Sequence, residues 1–524
     1  MMRGNTTRLF RVATAAVLAL TVLLPALAAA QPQPQKKLPP TDRRVLEEYA
    51  VDTWESFVAM VDPATGLPAD NINADTRERS AYTSPTNIGA YIWSTLAARD
   101  LGIIKPKEAR ARIAQTLETL AKMERHEPSG MYYNWYNPTT GAKLTTWPVN
   151  GDTVYPFLSS VDNGWLAAAL IMVTNSVPQL RDQAQALADS MHFGSYYDPA
   201  AGLIRGGFWD APSNQCNIAS PLYNTMPPNT GPPSAPVYYT CHHYGAFNTE
   251  PRIASYIGIA QGEIPATHYF KMWRTFPDTC DWSWQEMRPE GETRVYNVDG
   301  TNVSVFEGHY TYRGMNIVPS WGGSMFEALM VPLLVPEEEW GTKSWAINHP
   351  LYVQAQIEHG LEEADYGYWG FSPSNNPDGG YREYGVDPIG LEPNGYASDQ
   401  ERTYVDYGFE PCRPGAPDPE EYGTGVVTPH ASFLALDFAP EAALENLANL
   451  REDFDAYGWG GFYDAIEVPT GDVSRYYLAL DQGMIMAAIA NELRNDRLQR
   501  YFSVEIEQAV RPLMAMEEFT AGRE

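Results

Sequence analysis

Twelve segments of this chain place apolar side chains three or four residues apart, the spacing that gives an α-helix one apolar face. Long stretches rich in Gly, Pro, Tyr and Trp separate them, and few runs alternate as a β-strand would. This pattern predicts an all-α protein, an (α/α)6 barrel in which six helical hairpins close into a toroid with long aromatic loops over one end. The segments lie near residues 43–60, 87–101, 105–124, 161–175, 178–191, 250–261, 323–334, 349–364, 429–437, 441–454, 480–492 and 497–516.

The first residues have the pattern of a secretory signal peptide. Arginines precede an apolar run that ends in Ala28-Ala29-Ala30, and the run is shorter than the roughly 20 residues that span a bilayer. No later segment is apolar enough to cross a membrane. We therefore expect a signal peptide over residues 1–30, a disordered linker over 31–42 and one catalytic domain over 43–518, in a protein that is secreted or periplasmic.

Charge and aromatic content narrow the class of partner. Lys and Arg number 36 against 65 Asp and Glu, a net charge of −29, and such a surface repels nucleic acid and anionic lipid. Aromatic residues make up 12% of the chain, often beside Gly, Asn and Asp, and pyranose rings stack on such side chains. The composition favours a monomer that binds a neutral polysaccharide or oligosaccharide.

Four cysteines fit two disulfides in an oxidising compartment. Cys216 and Cys241 bracket a Pro/Asn-rich insert, so we expect them to pair and to leave Cys280 with Cys412. Other pairings and free thiols stay open at this stage.

Acidic or amide residues occupy the starts of several predicted helices. Asn87 and Asp162 each open an apolar helix and could serve there as simple N-caps. Pro251 suits a first helical position, which makes Glu250 the expected N-cap of its helix. Because these helix starts would converge on one funnel, the same residues could divide the acid and base work of a glycosidase.

The sequence lacks the motifs of other common enzyme classes and of calcium-binding loops. There is no G-x-S-x-G elbow, H-E-x-x-H motif, Walker loop or dinucleotide fingerprint. The segment Asp62–Asn71 is rich in oxygen ligands but lacks the EF-hand spacing, so a turn is the better interpretation.

Longer motifs resemble those of the glycoamylase-like proteins, a group related to endo-β-1,2-glucanases and to the transglycosylating domain of cyclic β-1,2-glucan synthases. The resemblance extends from about Val45 to Phe502. It implies an (α/α)6 glycosidase that acts on β-glucan without a metal or organic cofactor. Its motifs are TSPTNIGAYIWSTLAARDLG, MYYNWYNPTTG, LSSVDNGWLAAAL, NTEPRIASYIGIAQGEIPATHYFKMWR, PSWGGSMFEALM, WGFSPSNNPDGGYREYGVDPIG, VVTPHASFLALDFAPEAAL, YGWGGFYDAI and LALDQGMIMAAIAN.

The resemblance also implies roles for single residues. Glu250 stands where both the glucanases and the synthases look to have an essential glutamate, and Asp162 matches an acidic position of the pocket. Glu383 is the leading candidate for the remaining carboxylate. Pro373 stands where the synthases look to carry a second glutamate, which favours hydrolysis over transglycosylation.

We therefore predict a glycoside hydrolase that cleaves β-1,2-linked glucan, with Glu250, Asp162 and Glu383 as catalytic residues. Another neutral glucan as substrate, or a non-catalytic glycan-binding role, stays open as an alternative. The predicted substrate-binding residues are Asn87, Trp165, Arg252, Trp321, Glu327, Trp369, Tyr381, Arg382, His430 and Asp481.

Overall fold

Helices hold more residues than strands in the structure, a computed structural model that describes residues 38–223, 235–280, 287–391, 409–412, 414 and 425–523. The predicted signal peptide and most of the predicted linker lie outside these residues. The helices of the described part are α1 Pro40–Met60, α2 Pro85–Leu101, α3 Pro106–Leu120, α4 Ser160–Ser176, α5 Arg181–Asp189, α6 Arg252–Ala260, α7 Met325–Leu329, α8 Glu337–Trp340, α9 Trp345–Glu358, α10 Pro429–Leu434, α11 Pro440–Asp453, α12 Ala479–Arg494 and α13 Arg497–Met516.

Two kinds of helix alternate in the chain, and their sequences explain why. Helices α2, α4 and α12 are apolar or small on every side, and they are buried along most of their length. They pack side by side, with α2 between α4 and α12. Helices α3, α5 and α11 each bury one stripe and expose the other face, as a covering helix does. Residues 41–524 form one compact unit.

The prediction of an all-α protein is wrong, because the segments between the helices are organised as short strands. Among the described residues these strands form nine small sheets, antiparallel except for the β14–β17 pair. The physical reason is that loops packed over a core must pair their backbone N–H and C=O groups, and short strands do so locally. The strands are β1 Asn71–Asn73, β2 Arg125–His126, β3 Met131–Tyr132, β4 Phe157–Ser159, β5 Tyr197–Asp198, β6 Leu203–Arg205, β7 Gly207–Trp209, β8 Asn217–Ser220, β9 Val237–Thr240, β10 His243–Tyr244, β11 Glu290–Val298, β12 Thr301–Tyr312, β13 Met315–Ile317, β14 Ser320–Trp321, β15 Ser374–Asn375, β16 Tyr381–Arg382, β17 Gly390–Leu391, β18 Val426–Val427, β19 Tyr457–Gly458, β20 Gly461–Phe462, β21 Ala465–Glu467, β22 Asp472–Ser474, β23 Tyr476–Leu478 and β24 Gly522–Arg523.

The two expected disulfides are confirmed. Cys216 pairs with Cys241, and Cys280 pairs with Cys412, with Cα atoms 5.6 Å and 5.1 Å apart. The first joins β8 to β9 within one sheet, where the insert after residue 213 returns to the chain. Among the described helices, none combines the length and the apolar character that crossing a membrane requires.

A two-glycine turn brings the start of α7 against the loop that carries Glu383. Gly323 has a φ of +68°, and the backbone of Val386 donates a hydrogen bond to its carbonyl oxygen at 3.1 Å. A Cβ atom at Gly323 would lie 2.0 Å from the carbonyl oxygen of Val386. Only glycine therefore allows these two segments to approach so closely.

We expect Gly323→Ala to destabilise the protein well beyond the cost of its left-handed backbone conformation. Gly300→Ala is the matched control, since Gly300 has a φ of +82° but nothing within 4 Å of the added Cβ. The control should lose about 1–2 kcal/mol, and Gly323→Ala should lose a further 1–3 kcal/mol or so from overpacking. Urea unfolding measures both, and equal midpoints for the two variants would contradict this account of the turn.

Candidate active site

Glu250 lies in the turn before α6, half-buried, with its side chain and its backbone both held. The indole Nε1 of Trp165 donates to Oε2 of Glu250 at 2.7 Å. The backbone N–H of Glu250 donates to Oε2 of Glu327 at 3.0 Å. Burial raises the pKa of Glu250 to about 8, and the negative charge of Asp162 adds to the rise. The carboxyl group is therefore protonated at neutral pH.

The tryptophan also decides which oxygen of Glu250 carries that proton. An indole N–H can donate a hydrogen bond but cannot accept one. Oε2 of Glu250 therefore acts as an acceptor, and since the carbonyl oxygen of a protonated carboxyl group is the stronger acceptor, this contact favours the proton on Oε1. Helix α6 begins at Arg252 with Pro251 in the cap position, one residue later than the sequence predicted, so Glu250 precedes the helix and does not cap it.

Three helices of the site begin at a serine whose hydroxyl accepts a hydrogen bond from the backbone N–H three residues further on. This arrangement caps the helix and leaves the side chain of that third residue available for other contacts. The prediction that Asn87 or Asp162 might be a simple N-cap is therefore wrong. The pairs are Ser84 with Asn87 at 3.2 Å, Ser159 with Asp162 at 3.2 Å and Ser324 with Glu327 at 3.3 Å.

Two side chains at the start of α2 bind two carboxyl groups of the site. Thr86 Oγ1 donates to Oδ1 of Asp162 at 2.7 Å, and Asn87 Nδ2 donates to Oδ1 of Asp70 at 2.7 Å. Asn71 Nδ2 donates to the other oxygen of Asp70 at 3.0 Å. Burial raises the pKa of both carboxyls, and the charge of Asp162 contributes to the rise at Asp70.

Two of the predicted residues, Tyr381 and Glu383, lie in strand β16 or directly after it. Glu383 is half-buried, and burial raises its pKa. Tyr381 as a residue is 49% exposed. Burial of the hydroxyl, followed by the charges of Asp481, Asp464, Glu250 and Glu383, raises the pKa of Tyr381 well above its ordinary value. The tyrosine hydroxyl therefore lies among carboxyls from several different elements.

A third acidic group consists of His430, Asp464 and Asp481, which are 1%, 3% and 2% exposed. Each offers one potential ligand atom, and these atoms lie within 4.8 Å of one another, so the three could hold a metal ion. Burial raises the pKa of Asp481 to about 7 and that of Asp464 well above its ordinary range. A proton shared between the two carboxyls lowers the charge of the pair from −2 to −1.

The negative charge of one acid of the site raises the pKa of its neighbours. The charge of Asp70 raises the pKa of Asp481, the charge of Asp162 raises that of Asp70, and Asp162 acts likewise on Glu250. Glu250 and Glu383 both raise the pKa of Glu327, whose burial is the larger cause. The structure thus brings Glu250, Asp162 and Glu383 into one acidic site, together with the predicted residues Asn87, Glu327, Tyr381, His430 and Asp481.

Two of the predicted sugar platforms are buried. Trp165 and Trp369 are each 1% exposed, so neither ring has a face open to a sugar. Trp165 instead packs edge-on against Trp93 and positions Glu250. Trp321 is half-buried and packs against a cluster that includes Phe276 and Tyr310. A ring that is buried in the core cannot also contact a ligand.

Arg252 also differs from its predicted role in substrate contact. It is 1% exposed, and its Nε and Nη2 bind the two carboxylate oxygens of Glu337 at 2.8 Å each. Its remaining N–H groups donate to the carbonyl oxygens of Thr249, Glu327 and Ala328. All five donors are therefore committed within the protein. Arg382 is half-buried on β16, which pairs with β15.

Two site residues were missed by the sequence interpretation. Asp70 ends the oxygen-rich segment Asp62–Asn71, which does begin as a turn, with the backbone of Gly66 donating to the carbonyl of Asp62. Asp464 follows β20 and was noted only as part of a motif. Neither opens a helix, which was the signal that the interpretation used.

We expect Glu337→Gln to destabilise the protein by about 3–5 kcal/mol, because it leaves the buried guanidinium of Arg252 without a counter-charge. Burial alone would raise the pKa of Glu337, but Arg252 lowers it to about 2. The pair therefore stabilises the fold fully above pH 4.5, the ordinary pKa of glutamic acid, and loses this contribution as the pH falls towards 2.

The control for this change is Glu339→Gln, since Glu339 is exposed on the same short helix. Thermal unfolding at pH 7 measures both variants. A melting temperature for Glu337→Gln that equals the control would show that the ion pair does not support the site.

Two known protein families match parts of the chain. Residues 293–505 match the Glycoamylase family, described as "Putative glucoamylase", and residues 48–197 match DUF3131, a protein family of unknown function. The cyclic β-(1,2)-glucan synthase NdvB of Rhizobium meliloti is 27% identical over 568 residues, which cover 88% of this chain. The chain spans 18% of the length of that relative. The resemblance noted in the sequence is thereby confirmed.

Solved structures share the fold at low sequence identity. A structure described as a "putative glucoamylase" of Bacteroides uniformis has a TM-score of 0.62 at 15% identity, covering 91% of this chain and 98% of its own. An endo-β-1,2-glucanase of Chitinophaga pinensis, in complex with sophorotriose and glucose, has a TM-score of 0.58 at 17% identity. That match covers 90% of this chain and 98% of the glucanase. The chain therefore shares its fold with an endo-β-1,2-glucanase.

Proposed function

We propose that this protein is a secreted glycoside hydrolase that cleaves β-1,2-linked glucan or its oligosaccharides. The observation that carries the proposal is the setting of Glu250, whose carboxyl accepts from the indole of Trp165 and whose backbone N–H donates to Glu327, and whose pKa burial raises to about 8. Glycosidases need one acidic group that keeps its proton and a second that loses it. The fold shared with a β-1,2-glucanase and the similarity to a cyclic β-1,2-glucan synthase support the linkage.

Glu250 is the general acid of this proposal. Its Oε2 accepts from Trp165, so Oε1 carries the proton that passes to the oxygen of the breaking glycosidic bond. The contact from its backbone to Glu327 fixes the turn on which it stands. A general acid with a pKa near the working pH is both protonated and able to release its proton.

Asp162 or Glu383 is the general base that activates water, directly or through a relay. Asp162 acts on the pKa of Glu250, and Thr86 and Ser159 bind and stabilise its charged form. Glu383 directly follows strand β16, and burial raises its pKa. Pro373, in place of a second glutamate, favours transfer of the sugar to water over transfer to another sugar.

The surroundings suit a neutral polyol. Tyr381 is 49% exposed as a residue, and a sugar face can stack on its ring. Export fits the two disulfides, which persist in oxidising compartments.

The deciding experiment incubates the purified protein with β-1,2-glucan, β-1,3-glucan and starch, and it measures the release of reducing ends. We expect release from β-1,2-glucan and a loss of about 10²–10⁴-fold in rate for Glu250→Gln, the usual contribution of a general acid. Glu339→Gln, on the surface of α8, should retain full activity.

Other outcomes would contradict parts of the proposal. Release from β-1,3-glucan or starch alone would overturn the linkage and keep the hydrolase. Binding of a glucan without release, unchanged in Glu250→Gln, would replace the enzyme by a glycan-binding protein.

Trp165→Phe tests the role of the indole donor. Loss of this hydrogen bond removes a contact that lowers the pKa of Glu250, so the pKa should rise above its value of about 8. The protonated form then persists to higher pH, and the alkaline limb of the kcat/KM profile should move upward by about one pH unit. A profile that falls in parallel at every pH would assign Trp165 a packing role only.

A further inference from the structure

Three half-buried aromatic rings lie beside the acidic site on the side of Asp70. Tyr82, Trp135 and Trp147 contact one another, with ring centroids 4.4 Å apart for Tyr82 and Trp147, 5.2 Å for the two tryptophans and 5.6 Å for Tyr82 and Trp135. Nothing in the acid–base chemistry described above uses this cluster, which we call the aromatic triad.

The triad is tied directly to the acids. The backbone N–H of Asp70 donates to the carbonyl oxygen of Tyr82 at 2.9 Å. The side-chain amide of Asn71 binds a carboxylate oxygen of Asp70 at 3.0 Å and the hydroxyl of Tyr82 at 3.2 Å. Asp70 in turn affects the pKa of Asp481. The aromatic triad therefore lies directly next to Asp70 of the acidic site.

Backbone pairing holds the three rings in place. Thr83 and Tyr136 exchange two backbone hydrogen bonds of 2.9 Å, which sets the neighbouring residues Tyr82 and Trp135 side by side. Trp147 opens a tight turn, in which its N–H donates to Asp152 at 2.7 Å and its carbonyl accepts from Gly151 at 2.9 Å. That turn projects from the protein, since Val149 is 75% exposed. The rings thus form a preformed surface at low entropic cost.

The partial exposure of this cluster indicates a ligand. Apolar surface left in water costs free energy in proportion to its area, and an aromatic patch rimmed by polar groups is typical of a binding groove. The polar rim here consists of a carboxylate, an amide and a phenol hydroxyl, which can pair with hydroxyl groups. A neutral sugar combines the apolar ring face and the hydroxyls that this surface requires.

We propose that the aromatic triad is a subsite for a glucosyl residue of the same glucan chain, beyond the sugars at the bond that Glu250 protonates. The proposal rests on the function proposed above and extends it, because it predicts that substrates long enough to reach the triad are preferred. Continuity with Asp70 argues for the substrate chain as occupant in preference to a protein surface.

The test compares Trp147→Ala with Trp147→Phe, which keeps an aromatic face, on β-1,2-linked gluco-oligosaccharides of increasing length. In the unaltered protein, kcat/KM should rise with length until the chain reaches the triad. Trp147→Ala should abolish that last rise, a loss of about tenfold confined to long chains and expressed in KM, because tenfold corresponds to about 1.4 kcal/mol, the size of one aromatic stacking contact. Trp147→Phe should retain most of it, and Trp135→Ala should repeat the loss.

An equal loss at every length, or no loss at any length, would overturn the subsite while the hydrolase stands. Binding is measured separately by tryptophan fluorescence in the Glu250→Gln background, with long β-1,2-glucan as the probe. If the unaltered protein cleaves none of the polymers, the proposed function fails. The subsite then stands only if glucan binding is observed and is weakened by Trp147→Ala, and it fails if no binding occurs.

Discussion

The buried ion pair between Arg252 and Glu337 is the contact on which the arrangement of the site depends. One guanidinium joins the start of α6 to both α7 and α8, because it binds Glu337 and also the carbonyl oxygens of Thr249 and Glu327. Thr249 precedes Glu250, so the turn that carries Glu250 is fixed to the helix that carries Glu327. The two glutamates meet through a backbone N–H because this charge pair holds their elements together.

Glu337 and Glu250 show how one interior can give two glutamates opposite protonation states. Both side chains lose water, which raises the pKa of a carboxyl group. Glu337 gains a guanidinium and remains ionised, whereas Glu250 gains one indole donor and has Asp162 and Glu327 nearby, so it keeps its proton. Burial raises the pKa of the other carboxyls of the site as well, and at several of them the negative charge of a neighbouring acid adds to the rise.

The positions of most helices were accessible from the sequence, since apolar spacing depends only on the order of residues. The strands were not, because their pairing joins segments that are distant in the chain and that carry loop-forming residues. Asn71 of β1, for example, pairs with Leu478 of β23. The contribution of serine caps was also overlooked, although the S-x-x-N, S-x-x-D and S-x-x-E spacings are present at Ser84, Ser159 and Ser324.

The sequence by itself placed Asp162 and Glu250 near the starts of apolar helices, and its resemblance to known glycosidases predicted the same two residues as catalytic. Only the tertiary structure decided their chemical states, because a pKa depends on burial and on neighbours brought from elsewhere in the chain. It also separated tryptophans that position an acid from those that can meet a ligand. Trp165 and Trp147 are the same type of residue in the sequence. In the structure, Trp165 is 1% exposed and binds Glu250, whereas Trp147 is half-buried on a projecting turn.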